Sequence, residues 1–419
     1  MADIAILGFG TVGSGVYETI IKNQRSIDKR AQTRVRVKRV LDLRDFPGSP
    51  AEPLLTRDFD EILFDDDIKI IVEVMGGVEP AYRFAREALT HGKSVVTSNK
   101  ELVARHGAEL LALAKAHRLN FLFEASVGGG IPIIRPLNKS LAADEISEIS
   151  GILNGTTNYI LTRMQKDGAE FAEALAEAQR NGYAERDPSA DVLGLDACRK
   201  LAILLSLAVG DQADAENIHT EGITNITKVD MLYARAARRT IKLLAFSRID
   251  DAPPSAAPGT SGAANGASVR AAYAIVAPCL VPDAHPLASV GDVFNAIYVK
   301  GNIIGEVMFY GRGAGKLPTA SAVVADIVDA LKHPNAHIPH GWSMMKAAMR
   351  PISELPARKF IRTSASAAAV RDTFGDVEFV AAEGVPAGET AFITAEALGG
   401  EIDKLAERAG GVISSIRLY

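Results

Sequence analysis

Glu185, Asp187, Asp191 and Asp196 gather just ahead of Lys200 in GYAERDPSADVLGLDACRK, residues 182–200, a turn-rich lead-in to the apolar run Leu201 to Val209. Carboxylates at the mouth of a core are costly to desolvate unless they pair or hold a cation. A small cationic substrate, such as an amino acid, would supply that cation, and the lysine could exchange a proton with the part that reacts. The plainer alternative is a solvated loop running into a helix, with Asp196 and Lys200 paired at i,i+4 in the favourable order.

Three other groups could serve the same chemistry. Ser98-Asn99-Lys100 follows an apolar strand, at the carboxyl end where open α/β sheets bind ligands, although Lys100 also reads as a surface lysine. Phe123 to Pro132, FEASVGGGIP, ends a strand in glycines. Its curled carbonyls beside Glu124 could bind a hard cation through oxygen, or the segment could be a domain hinge. Gly155-Thr156-Thr157 opens a helix whose free N–H groups could accept a carboxylate, with ordinary Thr or Asn capping as the alternative.

Gly8-Phe9-Gly10-Thr11-Val12-Gly13 is a GxGxxG between a strand and a helix. Its glycines allow a tight turn, close backbone approach to a pyrophosphate and close helix–strand packing, with the helix N-terminus facing the phosphates. At the end of the second strand Asp42 could hold a ribose 2′-hydroxyl and Arg44 a 2′-phosphate, so the residues leave NAD and NADP both open.

These groups need elements to carry them. Strands at Ile4–Leu7, Arg34–Leu43, Ile68–Met75, Ser94–Thr97 and Asn120–Glu124 alternate with helices reaching Ile21 and spanning Pro80–Thr90 and Leu102–His117. That alternation predicts an α/β fold that begins with a Rossmann-type doubly wound parallel sheet. Beyond Gly130 the strands Glu145–Leu153, Arg270–Leu280, Ala296–Val299 and Ile304–Phe309 predict a separate mixed sheet in an α+β catalytic and dimerisation domain. Helices near 156–167, 169–181, 194–209 and 228–246 would pack on it. PPSAAPGTSGAANGAS, Pro253 to Ser268, reads as a mobile surface loop. The expected domains are 1–133 for the nucleotide, 134–312 for substrate binding and oligomerisation, 313–355 as a return helix and linker, and 356–419 as a small αβ module. The helix over 313–335 is expected to pack back on the first domain.

The bulk numbers exclude several classes. With 419 residues, 47% hydrophobic and 23% charged, the chain is an ordinary globular protein of two or three domains. A net charge of −5, with no long basic run outside the Lys22 to Arg39 region, argues against nucleic acid as a partner. No apolar run approaches the roughly 20 residues that span a bilayer, so no membrane partner is expected. MADIAILGFG reads as a strand and not as a signal peptide. Two unpaired cysteines suggest neither a disulfide framework nor a zinc site, which makes a cytoplasmic enzyme the default.

The motifs GFGTVG, SNKELVA, FEASVGGGIPIIRPL, GILNGTTNYIL, GYAERDPSADVLGLDACRKLAIL, HPLASVGDVFNA and FYGRGAGKLPTASAVVADI stand in this order. Over residues 1–350 the chain resembles homoserine dehydrogenase. The resemblance implies interconversion of L-homoserine and L-aspartate 4-semialdehyde with NAD(P), on the route to threonine, methionine and isoleucine. It implies Lys200 as general acid/base, with Lys100 in the catalytic site, and Glu185, Asp191 and Asp196 on the substrate ammonium. Phe9, Thr11, Val12, Gly76, Ser98, Gly182 and Gly315 would line the cofactor, beside Gly8, Gly10, Gly13, Arg44 and Lys100. Glu124 and the carbonyls of Val127, Gly129 and Ile131 would ligate a monovalent cation, sodium or potassium. A homodimer or homotetramer is implied as well.

Family members of this length end in an ACT domain that binds threonine. Lys359 to Tyr419 has the strands and helices for one, yet it is short and lacks the Pro-Gly turn before a long first helix. It reads as a reduced ACT-like module, with threonine as an effector or with a role in oligomerisation. His333, His337 and His340 are separated by Pro334 and Pro339 and read poorly as metal ligands. Cys198 reads as a buried structural thiol and Trp342 as packing. Two other functions compete: a non-catalytic dinucleotide-binding regulator, and another semialdehyde dehydrogenase, which would need an exposed nucleophilic cysteine.

Overall fold

The structure, a computed structural model, describes residues 1–252 and 269–419. The segment Pro253 to Ser268, read above as a mobile loop, lies outside the described residues.

The first half builds a parallel sheet from β1 (Ala2–Leu7), β2 (Val35–Leu41), β3 (Leu55–Thr56), β4 (Ile68–Glu73), β5 (Ser94–Thr97) and β6 (Phe121–Leu122), in the order β3-β2-β1-β4-β5-β6. Helices α1 (Thr11–Ala31), α2 (Asp60–Leu63), α3 (Ala81–Thr90) and α4 (Lys100–Ala116) connect the strands. Strand alternation divides the core. Ile4 and Ile6 join Val16 and Ile20 on one face, while Ala5 and Leu7 join Ala85, Leu89 and Leu102 on the other. Each buried Ile or Leu contributes roughly 1.5–3 kcal/mol, and having both faces covered is why β1 and β4 are mostly apolar, with Asp3, Lys69 and Glu73 as their charged residues. The strand order reverses between β1 and β4, and the crevice at their carboxyl ends is where such sheets bind dinucleotides.

The second half runs β7 (Ile146–Ile152), α5 (Gly155–Asp167), α6 (Phe171–Arg180), α7 (Ser189–Val192), α8 (Leu195–Val209), β8 (His219–Thr220), α9 (Lys228–Ala236), β9 (Arg239–Ala252), β10 (Val269–Pro282), β11 (Phe294–Gly301) and β12 (Gly305–Arg312). Helix α10 (Lys316–Lys332) then returns to the first sheet. It lies on α1, with Lys316 Nζ 2.7 Å from Glu18 Oε2 and Val323 and Ile327 in the core beside Val16 and Ile20. The short strand β13 (Ala348–Met349) pairs with β10.

Two sequence expectations need correction. The helix expected over 228–246 stops at Ala236, and Arg239–Ala252 is a strand. Arg238 takes a left-handed φ of 53°, which breaks the helix. Pairing with β10 along its whole length then holds Arg239–Ala252 extended, overriding local helix propensity. The C-terminal segment is also less separate than expected. It comprises β14 (Pro356–Ala357), β15 (Lys359–Thr363), α11 (Ala367–Phe374), β16 (Val377–Phe379), β17 (Thr390–Thr394), β18 (Ala397–Leu398), α12 (Gly399–Ala409) and β19 (Val412–Leu418). Without the short β14–β18 pair, these form a βαββαβ unit of strand order β19-β15-β17-β16, a ferredoxin-like topology. Its β19 pairs with β10 at Cys279 and Leu280, so one mixed sheet runs β12-β11-β7-β9-β10-β19-β15-β17-β16 through both regions.

Candidate active site

The GxGxxG turn forms as its residue types require. Gly8 has a φ of 94°, and a side chain at Gly13 would put its Cβ 1.9 Å from the Gly8 carbonyl oxygen. Helix α1 therefore starts hard against the turn, with the unpaired N–H groups of its first residues facing the crevice. Gly76 follows Met75, which touches Gly8, and Ser98 reaches the same strand ends through its N–H to the Glu73 carbonyl at 3.4 Å. Gly315 precedes α10, whose first residue lies against Gly15 of α1. The residues present thus fit a dinucleotide.

Asp42 and Arg44 do not compete for a ligand as separate groups. Asp42 accepts the Phe9 N–H at 2.7 Å and both Nε and Nη2 of Arg44, at 3.0 and 2.9 Å. The Arg44 guanidinium beside it, opposed by burial and aided by the Phe9 N–H, lowers the Asp42 pKa to about 2. The carboxylate is buried, and the guanidinium is the group turned outward.

The catalytic candidates converge on one carboxylate. Helix α4 starts at Lys100 because Asn99 caps it, accepting the N–H groups of Glu101 and Leu102. Helix α8 starts at Leu195, after Gly194 in a left-handed conformation, and carries Asp196 and Lys200 one turn apart. Asp196 Oδ1 lies 2.8 Å from Lys100 Nζ, and Oδ2 lies 2.8 Å from Lys200 Nζ. Lys200 is 8% exposed and also donates to the Leu153 carbonyl at 2.7 Å. Burial works against the Asp196 carboxylate, yet Lys200 and Lys100 hold its pKa well below the usual range. Burial likewise works against charged Lys100, and Asp196 outweighs it, so that pKa is raised. The carboxylate thus stands between Lys100 and Lys200.

Asn154, which the sequence reading passed over, ties these parts together. It caps α5 through the Thr157 N–H at 2.9 Å, and its Nδ2 donates to Asp191 at 2.7 Å and Asp196 at 2.9 Å. An Asn directly before Gly-Thr-Thr is a cap signal, but nothing in the spacing shows where its amide points. Thr156 Oγ1 donates to the Tyr183 carbonyl at 2.7 Å, which brings Gly182 and the 182–191 segment to the first turn of α5. Asp191 is half-buried, and burial together with Asp196 raises its pKa against the Asn154 hydrogen bond. Glu185 is exposed and has no ion-pair partner among the described residues. Glu73 was also missed: it is fully buried, accepts Thr97 Oγ1 at 2.6 Å and the Met75 N–H at 2.9 Å, and burial raises its pKa.

Glu124 spends its carboxylate on its own loop, accepting the N–H groups of Ile133, Ile134 and Arg135 at 2.6, 2.9 and 2.9 Å. Oxygen ligands for a cation would then come chiefly from the carbonyls of Val127, Gly129 and Ile131. His333, His337 and His340 each direct Nδ1 to a backbone carbonyl, of Asp329, Leu119 and Ile338. Cys198 is buried, and burial raises its pKa, unlike an activated nucleophile. Trp342 packs on Gly107 of α4 and donates to Gln212.

A nucleotide-binding crevice that opens onto a carboxylate gripped by two lysines is the arrangement of an NAD(P)-dependent oxidoreductase acting on a CH–OH group. Residues 8–124 match the model of the homoserine dehydrogenase NAD-binding domain, and residues 132–328 match that of homoserine dehydrogenase. A Synechocystis homoserine dehydrogenase is 47% identical over 328 residues, 78% of this chain and 72% of the relative. One from Bacillus subtilis is 40% identical over 368 residues, covering 86% and 80%. Among solved structures, a homoserine dehydrogenase from Thiobacillus denitrificans superposes with a TM-score of 0.87 at 33% identity, covering 100% of this chain and 98% of that one. A hyperthermophilic archaeal homoserine dehydrogenase in complex with NADPH gives a TM-score of 0.62 at 28% identity, covering 78% and 97%. The chain belongs to the homoserine dehydrogenase family, and its reaction is reversible hydride transfer between L-homoserine and L-aspartate 4-semialdehyde. Among the described residues no helix is long and apolar enough to cross a membrane.

Proposed function

We propose that Lys200 is the general acid/base of this reaction and that Asp196 holds it in place. The observation that carries the reading is the single buried carboxylate with one lysine on each oxygen. NAD(P) supplies hydride acceptance and donation when bound. The chain's own residues manage the proton and the charge. An ammonium has three N–H groups, and Lys200 spends two on Leu153 and Asp196, leaving one for the substrate oxygen. In the reducing direction the Lys200 ammonium donates this third proton to the developing alkoxide; in the oxidising direction the neutral amine, with its lone pair at that position, takes the hydroxyl proton and becomes the ammonium. Lys100 adds positive charge at the same oxygen.

The first turn of α5, at Gly155, Thr156 and Thr157, receives the substrate carboxylate, and Asp191, Asp196 and Glu185 surround its ammonium. The half-burial of Asp191 and its tie to Asn154 support this reading, while exposed Glu185 completes the site only once substrate is present. Gly8, Phe9, Gly10, Thr11, Val12, Gly13, Arg44, Gly76, Ser98, Lys100, Gly182 and Gly315 line the cofactor. The outward guanidinium of Arg44 favours the phosphorylated coenzyme, NADP, in keeping with the NADPH complex of the archaeal relative. A sodium or potassium ion sits among Glu124 and the carbonyls of Val127, Gly129 and Ile131. The domain limits 1–133, 134–312, 313–355 and 356–419 belong to this proposal, supported by α10 lying on α1. So do a homodimer or homotetramer, supported by exposed Met308 and Tyr310 on the β12 edge strand, and a threonine-binding ACT-like role for the βαββαβ unit. A cytoplasmic setting accords with Cys198 and Cys279 both being free.

The test is Lys200→Met assayed with homoserine at 340 nm. We expect kcat to fall by about 10²–10⁴ while the homoserine KM changes little. Turnover near the parent value would sink the assignment.

A further inference from the structure

The segment Val290–Asn295 is anchored by two side chains that have no part in the roles above. Lys242, on β9, is 3% exposed, and its Nζ donates to Asn158 Oδ1 at 3.1 Å and to the Val290 carbonyl. No carboxylate pairs with it among the described residues. Asn158, in the first turn of α5, directs its Nδ2 at the carbonyls of Val290, Asp292 and Phe294, at 3.2, 3.0 and 3.0 Å. Thr162, one turn further on, accepts the Asp292 N–H at 3.1 Å. Burying an ammonium among neutral acceptors is costly, and here burial lowers the lysine pKa to about 8.

The segment held in this way is wedged between two walls. A side chain at Gly155, the first residue of α5, would put its Cβ 2.9 Å from the Val293 carbonyl oxygen. One at Gly313, two residues before Gly315, would put its Cβ 2.0 Å from Asn295 Nδ2. Asn295 itself is 2% exposed. Any slackening at Val290 is therefore felt on the substrate side at Gly155 and on the cofactor side at Gly313.

We propose that Lys242 and Asn158 are positioning residues whose hydrogen bonds to the 290–294 carbonyls set the spacing between the α5 substrate turn and the Gly315 cofactor loop. This rests on the reading of those two segments given under Proposed function. Hydride transfer needs its reacting atoms about 3–3.5 Å apart, and an error of about 1 Å can cost about 10²-fold in rate.

The test uses the full-length enzyme with Lys242→Met. We expect kcat to fall about tenfold to hundredfold with little change in the KM of homoserine or coenzyme. The primary isotope effect with coenzyme deuterated at the transferred position rises as hydride transfer becomes limiting. Lys242→Gln, a shorter donor without charge, recovers part of the loss. If Lys242→Met fails to fold, Asn158→Asp, which keeps the acceptor for Lys242 and removes the Nδ2 donor, carries the same expectation. A folded variant with parental kcat and isotope effect overturns the proposal, as does a kcat loss that only tracks the folded fraction. Thr156→Pro, which removes a first-turn N–H where a helix tolerates proline, separates the two readings when run in parallel. If it leaves homoserine kinetics untouched, the substrate role of α5 fails and takes the proposal with it. If it impairs them while Lys242→Met behaves normally, only the positioning role falls.

Discussion

Asp196 satisfies two ammonium groups at once because each of its oxygens faces a different helix, Lys200 on its own α8 and Lys100 at the start of α4. Leaving one of these charges buried without its partner costs about 3–5 kcal/mol, so the three residues form one unit. Lys242 is the contrasting case, a buried lysine with neutral partners. Its folded pKa, about 8, lies below the unfolded value of about 10.4. The folded state therefore binds this proton more weakly than the unfolded chain does. The penalty is present in full below about pH 8 and is relieved as pH rises toward the unfolded pKa. Urea unfolding of the parent and of Lys242→Met at pH 7.5, 9 and 10 should show the difference moving in favour of the parent as pH rises. A pH-independent difference would contradict the burial of an ionised Lys242.

Helix starts do most of the positioning at the scale of elements. The starts of α4, α5 and α8 meet at Asp196, while α1 starts at the nucleotide turn, and glycine or asparagine sets each of them. Gly13 is the tightest, since its missing side chain lets α1 meet the Gly8 carbonyl. Gly13→Ala should raise the coenzyme Kd by about tenfold or more while the affinity for homoserine, measured separately, stays near the parent value. Isothermal titration with each ligand checks this, and unchanged coenzyme binding would show that the turn can yield. Strand periodicity and glycine punctuation made the first sheet and these starts legible. The strand Arg239–Ala252 was not, because pairing with β10 decides it and local propensity does not.

Across the whole molecule, the C-terminal unit is fastened to the catalytic region by a buried charge network as well as by β19. Arg362, 3% exposed, holds Asp230 of α9 at 2.8 Å and Glu389 at 2.8 Å. Removing the guanidinium leaves Asp230, 0% exposed, without its counter-charge. Arg362→Ala should therefore destabilise the protein by about 3–5 kcal/mol, read from the urea midpoint at constant slope. A loss under about 1 kcal/mol would mean that water or rearrangement replaces the cation. Seen from the sequence, residues 356–419 read as a small αβ module of their own. Only assembly reveals that β19 has β10 for a neighbour.

The residue string by itself determined the chemistry available: the nucleotide turn, the lysines and carboxylates, the alternating strands and helices. Those follow from side-chain identity and short-range periodicity, which need no knowledge of distant contacts. Tertiary structure alone decided that Asp196 stands between Lys100 and Lys200, that Asn154 points at two carboxylates, that Glu124 serves its own loop and that Lys242 is buried near α5. Apart from Glu124, whose partners lie 9 to 11 residues further on, each depends on segments tens of residues apart meeting at about 3 Å, and no local spacing encodes such a meeting.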